Sequence, residues 1–262
     1  MVHLVPRLIA IAVAVSLLVL IERLFALRRD QRVLRPGWRT DVAHAFLSHA
    51  LAQLGIALAV GLVFAAIGDL ASDALQARVQ AQPRWLQFLE AIGVTELVGY
   101  AVHRAAHKLP VLWRFHRVHH SSEQLDWLAS FRIHPIDLVI SRATQFGPLF
   151  LLGFSQATFG AYLGFITLWA LLIHSNVRFR FGPLRFLFTT PQFHHWHHSN
   201  DAVARDKNFA GQLPVIDALL GTLHLPDAWP DSYGVDDKVP PTYLAQIAEP
   251  FGTLSAAARR PR

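Results

Sequence analysis

The chain's 262 residues are 53% hydrophobic and only 16% charged, against about 25% charged in a typical soluble domain. The net charge is +6, but the arginines follow apolar runs instead of forming a basic, aromatic-studded platform, so nucleic-acid binding is excluded. There is no cysteine, which excludes disulfides, thiolate chemistry and cysteine-ligated zinc or iron–sulfur sites and leaves any metal to nitrogen and oxygen ligands.

The first apolar run, Leu8–Ile21, lacks a small-residue cleavage site and reads as an uncleaved membrane anchor. Arg28, Arg29, Arg32, Arg35 and Arg39 follow it directly, the pattern of a cytoplasmic loop beside anionic lipid. Phe46–Ile67 reaches the roughly 20 residues that cross a bilayer. After a loop that sets Asp69 and Asp73 against Arg78 and Arg84, Trp85–His107 forms a third apolar helix with a polar, basic end. Ile136–Phe154 is interrupted by Arg142 and by Gly147-Pro148, and is expected to kink or to enter the membrane from one side. Ala157–Ile173 follows within a few residues, making a tight helical hairpin.

The segments 24–40, 104–132 and 178–205 hold most of the arginines and lysines, so that side is expected to be cytoplasmic. From Pro226 the chain is rich in Pro and Asp, reads as an extended or partly disordered cap, and ends in "SAAARRPR". The expected fold is an all-α integral membrane protein with four to five transmembrane or re-entrant helices and a cytoplasmic, histidine-rich helical cap. Three parts are expected: 1–84, anchor helices and basic loop; 85–225, the catalytic domain; and 226–262, a Pro-rich tail. The Ala- and Arg-rich composition points to a bacterial inner membrane.

The histidines carry the chemistry. The chain has 15, and between His103 and His198 they gather in three groups with helical spacing. "HRAAH" sets His103 and His107 four apart, "HRVHH" places His116, His119 and His120 at i, i+3, i+4, and "HHWHH" repeats that pattern with His194, His197 and His198. Such positions share a helix face, so each group is expected to aim its imidazoles at one centre. His134 and His174 stand singly between the groups, while His3, His44, His49 and His224 have no partner spacing and no expected role. Crowded imidazoles near a membrane cost desolvation and repel one another when protonated, whereas a metal turns the neutral nitrogens into ligands. One zinc takes four ligands, so eight clustered histidines suit two metals. Nitrogen ligands alone fit iron, copper, zinc or nickel. In the third helix Glu96, Tyr100, His103 and His107 form one stripe, and an acid in an apolar span needs a partner; Glu96 is expected to accept the free ring N–H of His103 or of another ligand, the alternative being a pairing with an arginine such as Arg104. Asp126, Arg132, Asp137 and Asp217 are candidates to order the loops around the histidines, and His195 and Trp196 face away, with Trp196 packing.

The three groups in this order, with "HHSSEQLDWLASFRIHP", "IHSN" and "TPQFHHWHHSN" around them, resemble the fatty acid hydroxylase/sterol desaturase superfamily of membrane di-iron oxygenases over about Leu97 to Thr222. The resemblance implies His103, His107, His116, His119, His120, His194, His197 and His198 as iron ligands. His134 and His174 match further family histidines, and Asp217 matches an acid that would support a ligand. Ala210 stands where the family often has Gly, and Ile216 where it often has Trp before the Asp, which touches packing rather than ligands. The resemblance further implies two irons (replaceable by zinc on overexpression), O2 as co-substrate, an external ferredoxin- or cytochrome b5-type electron donor, and hydroxylation or desaturation of a lipid such as a fatty acyl chain or sterol. Two other readings stay open: a two-zinc membrane hydrolase, which would normally include carboxylate ligands, and a metal transporter or sensor, which would place its ligands at mid-span.

Overall fold

A computed structural model of the chain describes residues 4–68 and 71–252; His3, Asp69 and the "SAAARRPR" end lie outside them. Among the described residues the regular elements are helices, joined by two isolated bridges, Ala26 to Val177 and Ser199 to Tyr233. In chain order they are α1 (Leu4–Leu24), α2 (Trp38–Ala43), a π-helical turn (His44–Ser48), α3 (His49–Ile67), α4 (Asp73–Ala81), α5 (Arg84–Lys108), α6 (Pro110–His120), α7 (Pro135–Leu151), α8 (Gln156–His174), α9 (Pro191–His197), α10 (Val215–Leu219) and α11 (Tyr243–Ala248).

Two of these stretches are long and apolar enough to cross a membrane: Trp38–Ala66, which runs through α2, the π turn and α3, and Gln156–His174, which is α8. Leu47, Leu51, Leu54, Leu58 and Leu62 line an exposed face of the first, as lipid contact requires. α7 runs unbroken past Arg142, and Pro148 falls in its last turns, where one lost backbone bond costs least. α3 packs closely on α7, and Gly55 permits it: a Cβ there would come within 2.5 Å of Val139 Cγ2.

Between α5, α7 and α8 lies an aromatic core of Ala91, Phe146, Leu149, Tyr162 and Ile166, flanked by Phe88 and Phe159. It fixes the three helices whose ends carry His103, His107, Asp137 and His174. The chain then reverses between α5 and α6 through Leu109, because Pro110 at the first helical position suits a new helix and not the continuation of the old one.

Residues 226–252 are no loose extension. Thr40 Oγ1 donates to Pro241 O at 2.7 Å, His44 Nε2 meets Gln246 Oε1 at 2.8 Å, and Arg117 pairs with Glu249. This strap ties α2 to α6. His44, expected to have no site role, is a wholly buried structural residue that also bonds Ser48 Oγ at 2.8 Å.

Candidate metal centre

α6, α8 and α9 end in histidine at the same end of the core, and α5 brings its last two turns there. α9 is short and entirely buried; Thr190 caps it by accepting from Phe193 N at 3.2 Å, and Pro191 starts it. Two groups of imidazoles result, in each of which one nitrogen per ring lies within 4.8 Å of all the others: His103, His107, His116, His120 and His197 form one, and His119, His174, His194 and His198 the other.

This partition corrects the expectation that each cluster aims at one centre. Residues four apart on a helix differ by about 40° in direction, whereas positions i+3 and i+4 differ by about 100°. His116 and His120 therefore stay together while His119 turns to the second group; likewise His194 and His198 stay together while His197 turns to the first. Each triple straddles both groups. His120 and His198 stack where the groups meet, their ring centres 4.4 Å apart.

The ring protons are placed by their acceptors. His119 Nδ1 faces Arg132 O at 3.1 Å and His174 Nδ1 faces Ala170 O at 2.7 Å. Carbonyls only accept, so each Nδ1 carries the hydrogen and each Nε2 a lone pair. Those two Nε2 atoms nonetheless stand 3.3 Å apart, and His194 Nε2 lies 3.0 Å from the Nε2 atoms of both His174 and His198. Imidazole nitrogens about 2.0–2.1 Å from one ion stand about 3 Å from each other. In the five-histidine group, His103 Nδ1 donates to Phe209 O (2.7 Å), His197 Nδ1 to Lys207 O (2.9 Å), and His116 Nδ1 meets Asp137 Oδ2 (3.0 Å). His116 Nε2 and both nitrogens of His120 are buried without a hydrogen-bond partner among the described residues. Burial holds His119, His120, His194 and His198 well below the usual histidine range, and neighbouring imidazoles push the same way. Neutral rings with converging lone pairs fit metal ions, one per group.

Nine of the ten expected ligands thus come together, and His134 does not. Its Nδ1 accepts from Ile136 N at 3.1 Å, capping α7, and its Nε2 faces Ile247 O at 3.2 Å. Glu96 bonds no histidine either among the described residues: its carboxylate accepts from Gln212 Nε2 (2.9 Å) and Leu213 N (3.3 Å) of the same 209–213 loop whose Phe209 carbonyl faces His103. Asp217 acts on the same loop, accepting from Phe209 N and Ala210 N, both at 2.8 Å, and so holds the residue whose carbonyl orients His103. Asp126 caps the turn 127–131 and pairs with Arg35 at 2.8 Å, while Arg132 pairs with Asp41, fixing the carbonyl that receives His119. His195 lies outside both groups, bonded to Tyr233 OH (2.8 Å) and Ser175 O (3.1 Å), and Trp196 Nε1 donates to Ala228 O (2.9 Å).

Sequence reasoning missed the backbone acceptors Ala170, Lys207 and Phe209. The signal for two of them lies in "RDKNF": Asp206 and Asn208 take positive φ (57° and 61°), which these residue types tolerate, and the resulting bend turns the carbonyls between and after them toward the rings.

Two adjoining cavities lie on this side of the core, and the smaller one reaches the clustered histidines. One of about 480 Å³ is mostly apolar and runs between α3, α7 and α8 past Ile56, Val60, Phe146, Phe159 and Leu163. A smaller one of about 150 Å³ is bordered by His103, His116 and His119 and shares Ile133, Leu138 and Arg142 with the first.

A sequence profile described as fatty acid hydroxylase matches residues 88–222. The chain is 36% identical to the ornithine lipid hydroxylase OlsE of Rhizobium tropici, over 90% of this chain and 73% of that protein. It is 33% identical to alkylglycerol monooxygenase of Danio rerio over 65% of this chain and 34% of that one, and 31% identical to the human enzyme of that name over 53% and 30%. The chain therefore spans about a third of the alkylglycerol monooxygenases. No solved structure matches it.

Proposed function

The chain belongs to the fatty acid hydroxylase family and is an oxidoreductase, and from that premise we propose that it is an O2-dependent, two-iron membrane oxygenase that hydroxylates a C–H bond of a lipid. The carrying observation is the pair of all-histidine groups with converging lone pairs beside an apolar groove. His103, His107, His116, His120 and His197 would hold one iron, and His119, His174, His194 and His198 the other. Reduced irons bound there would supply the oxygen activation that breaking an unactivated C–H bond requires. The overall balance is R–H, O2, two electrons and two protons giving R–OH and water; the electrons come from an external donor of ferredoxin or cytochrome b5 type.

The protein's own part is positioning. Asp137 and the carbonyls of Arg132, Ala170, Lys207 and Phe209 keep Nδ1 protonated and Nε2 directed inward on five of the nine rings, His116, His119, His174, His197 and His103. The groove between α3 and α8, the two apolar spans, gives a hydrocarbon chain a route from the bilayer to the histidines, and its apolar walls exclude water from the reacting carbon. Desaturation would begin with the same hydrogen abstraction. Neither group contains a carboxylate, so the hydrolase reading lacks its bridging or basic acid. The ligands lie at helix ends rather than along a mid-span path, which takes support from a transporter. We place the metal end at the cytoplasmic face of a bacterial inner membrane, with α1, α5 and α7 lying in or entering the bilayer beside the two spans.

The test is to purify the chain, count its metals, and compare host lipids with and without expression under air and under nitrogen. Two irons and an oxygen-dependent product one oxygen heavier support the reading. A product that forms equally under nitrogen overturns it.

A further inference from the structure

A guanidinium stands where the two cavities meet. Arg142 of α7 lines both the apolar groove and the smaller cavity beside His103, His116 and His119. It is half-buried, and its one hydrogen bond among the described residues runs from Nη1 to Gln145 Oε1 at 3.0 Å. The guanidinium carbon lies 5.6 Å from the centre of the Phe146 ring. Among the described residues no carboxylate pairs with it. Asp137 on the same helix is bonded to His116, and Glu96, across the smaller cavity, is bonded to Gln212 and Leu213.

Arginine stays charged in proteins, and an uncompensated charge among apolar side chains is costly. Metal ions at the histidines would add positive charge and raise that cost. The guanidinium's planar fork of five N–H donors matches a carboxylate or a phosphate, and most of the fork has no protein acceptor among the described residues. The two cavities also differ in polarity. The smaller is bordered by Glu96, Ser141, Gln145 and Gln212, while the larger is walled mainly by aliphatic and phenyl groups. An amphiphile with its tail in the groove would bring its polar end to Arg142.

We propose that Arg142 binds the anionic group of the lipid substrate, a carboxylate or phosphate, with the hydrocarbon chain in the α3–α7–α8 groove and the polar end turned toward the histidines. This rests on the lipid-oxygenase reading for its substrate class. It adds that the substrate is an anionic amphiphile, selected by one charge-assisted contact.

The test is equilibrium binding to the full chain in nonionic detergent, with and without metal, by displacement of a fluorescent fatty acid. The competitors are hexadecanoate, hexadecyl phosphate and the neutral methyl hexadecanoate. The wild type should bind at least one anion about tenfold or more tighter than the ester, the weight of one charge-assisted hydrogen bond. Whichever anion is preferred identifies the group as carboxylate or phosphate. Arg142→Gln should abolish the preference and leave ester binding unchanged, while Arg142→Lys, which keeps the charge, should retain part of it. Equal binding of ester and both anions by the wild type overturns the proposal, even if the glutamine variant does not fold. So does a preference that survives in Arg142→Gln or vanishes in Arg142→Lys. Binding needs neither oxygen nor reductant, so its failure is distinct from a failure of the oxygenase reading.

Discussion

The Nε2 atoms of His119 and His174 face each other at 3.3 Å, although each ring has already committed its Nδ1 hydrogen to a backbone carbonyl. Two lone pairs at that distance repel unless a cation lies between them. His174→Ala should therefore lower the metal content of the purified protein by about half, the share of one of two sites. His134→Ala should leave metal content unchanged and act on stability alone, because His134 caps α7 and bonds Ile247 O. Elemental analysis of both variants beside the wild type checks this, and metal loss in His134→Ala would contradict the geometry.

His195 and His197 are two residues apart, and only His197 reaches a metal group. His197→Ala should lose metal and lipid product together. His195→Ala should keep both and unfold at lower temperature, since it removes the buried partner of Tyr233 OH and one of the two donors to Ser175 O, a cost of about 1–3 kcal/mol. Thermal unfolding and metal content measured on the same preparations separate the two effects.

Asp137 supplies the carboxylate acceptor seen among the ring Nδ1 atoms, 3.0 Å from His116 Nδ1. A carboxylate in that position sets the ring's tautomer and raises its basicity. Asp137→Asn should weaken metal affinity by about 10–100-fold without emptying the site at saturating metal. Competition with a chelator of known affinity measures it; an unchanged affinity would reduce the Asp137–His116 contact to packing.

The apolar runs made the long helices legible in the sequence, and the i, i+3, i+4 spacing singled out the eight clustered histidines, which the likeness to a family turned into candidate ligands. What the spacing hid was the sharing of each triple between two groups, since the 100° between i+3 and i+4 matters only when two targets flank the helix. His174 was legible only by likeness to a family, as a single histidine has no spacing to read. The carbonyls of Arg132, Ala170, Lys207 and Phe209 left no side-chain signal, because any residue carries a carbonyl and only the folded path aims it. The strap after Pro226 was invisible for a similar reason: Pro and Asp mark a chain that forms little regular structure, not one that lacks tertiary partners such as Thr40, His44 and Arg117.

Glu96 bonds the 209–213 loop instead of the histidine expected of it. It is a nearly wholly buried acid, 2% exposed, and its carboxylate holds Gln212 Nε2 and Leu213 N rather than His103. Any influence on a bound metal would run through the 209–213 loop, whose first carbonyl faces His103 and which Asp217 also holds. Glu96→Gln keeps the shape and one acceptor oxygen for Leu213 N. Gln212, whose Oε1 has no hydrogen-bond partner, can turn its amide to accept from the new side chain. This variant should therefore retain its metal and most of its thermal stability. Glu96→Ala removes both acceptors and should cost about 1–3 kcal/mol, with metal affinity falling as Phe209 loosens. Paired unfolding and chelator-competition curves decide the matter: metal loss in Glu96→Gln at unchanged unfolding temperature would restore a direct role toward a ligand.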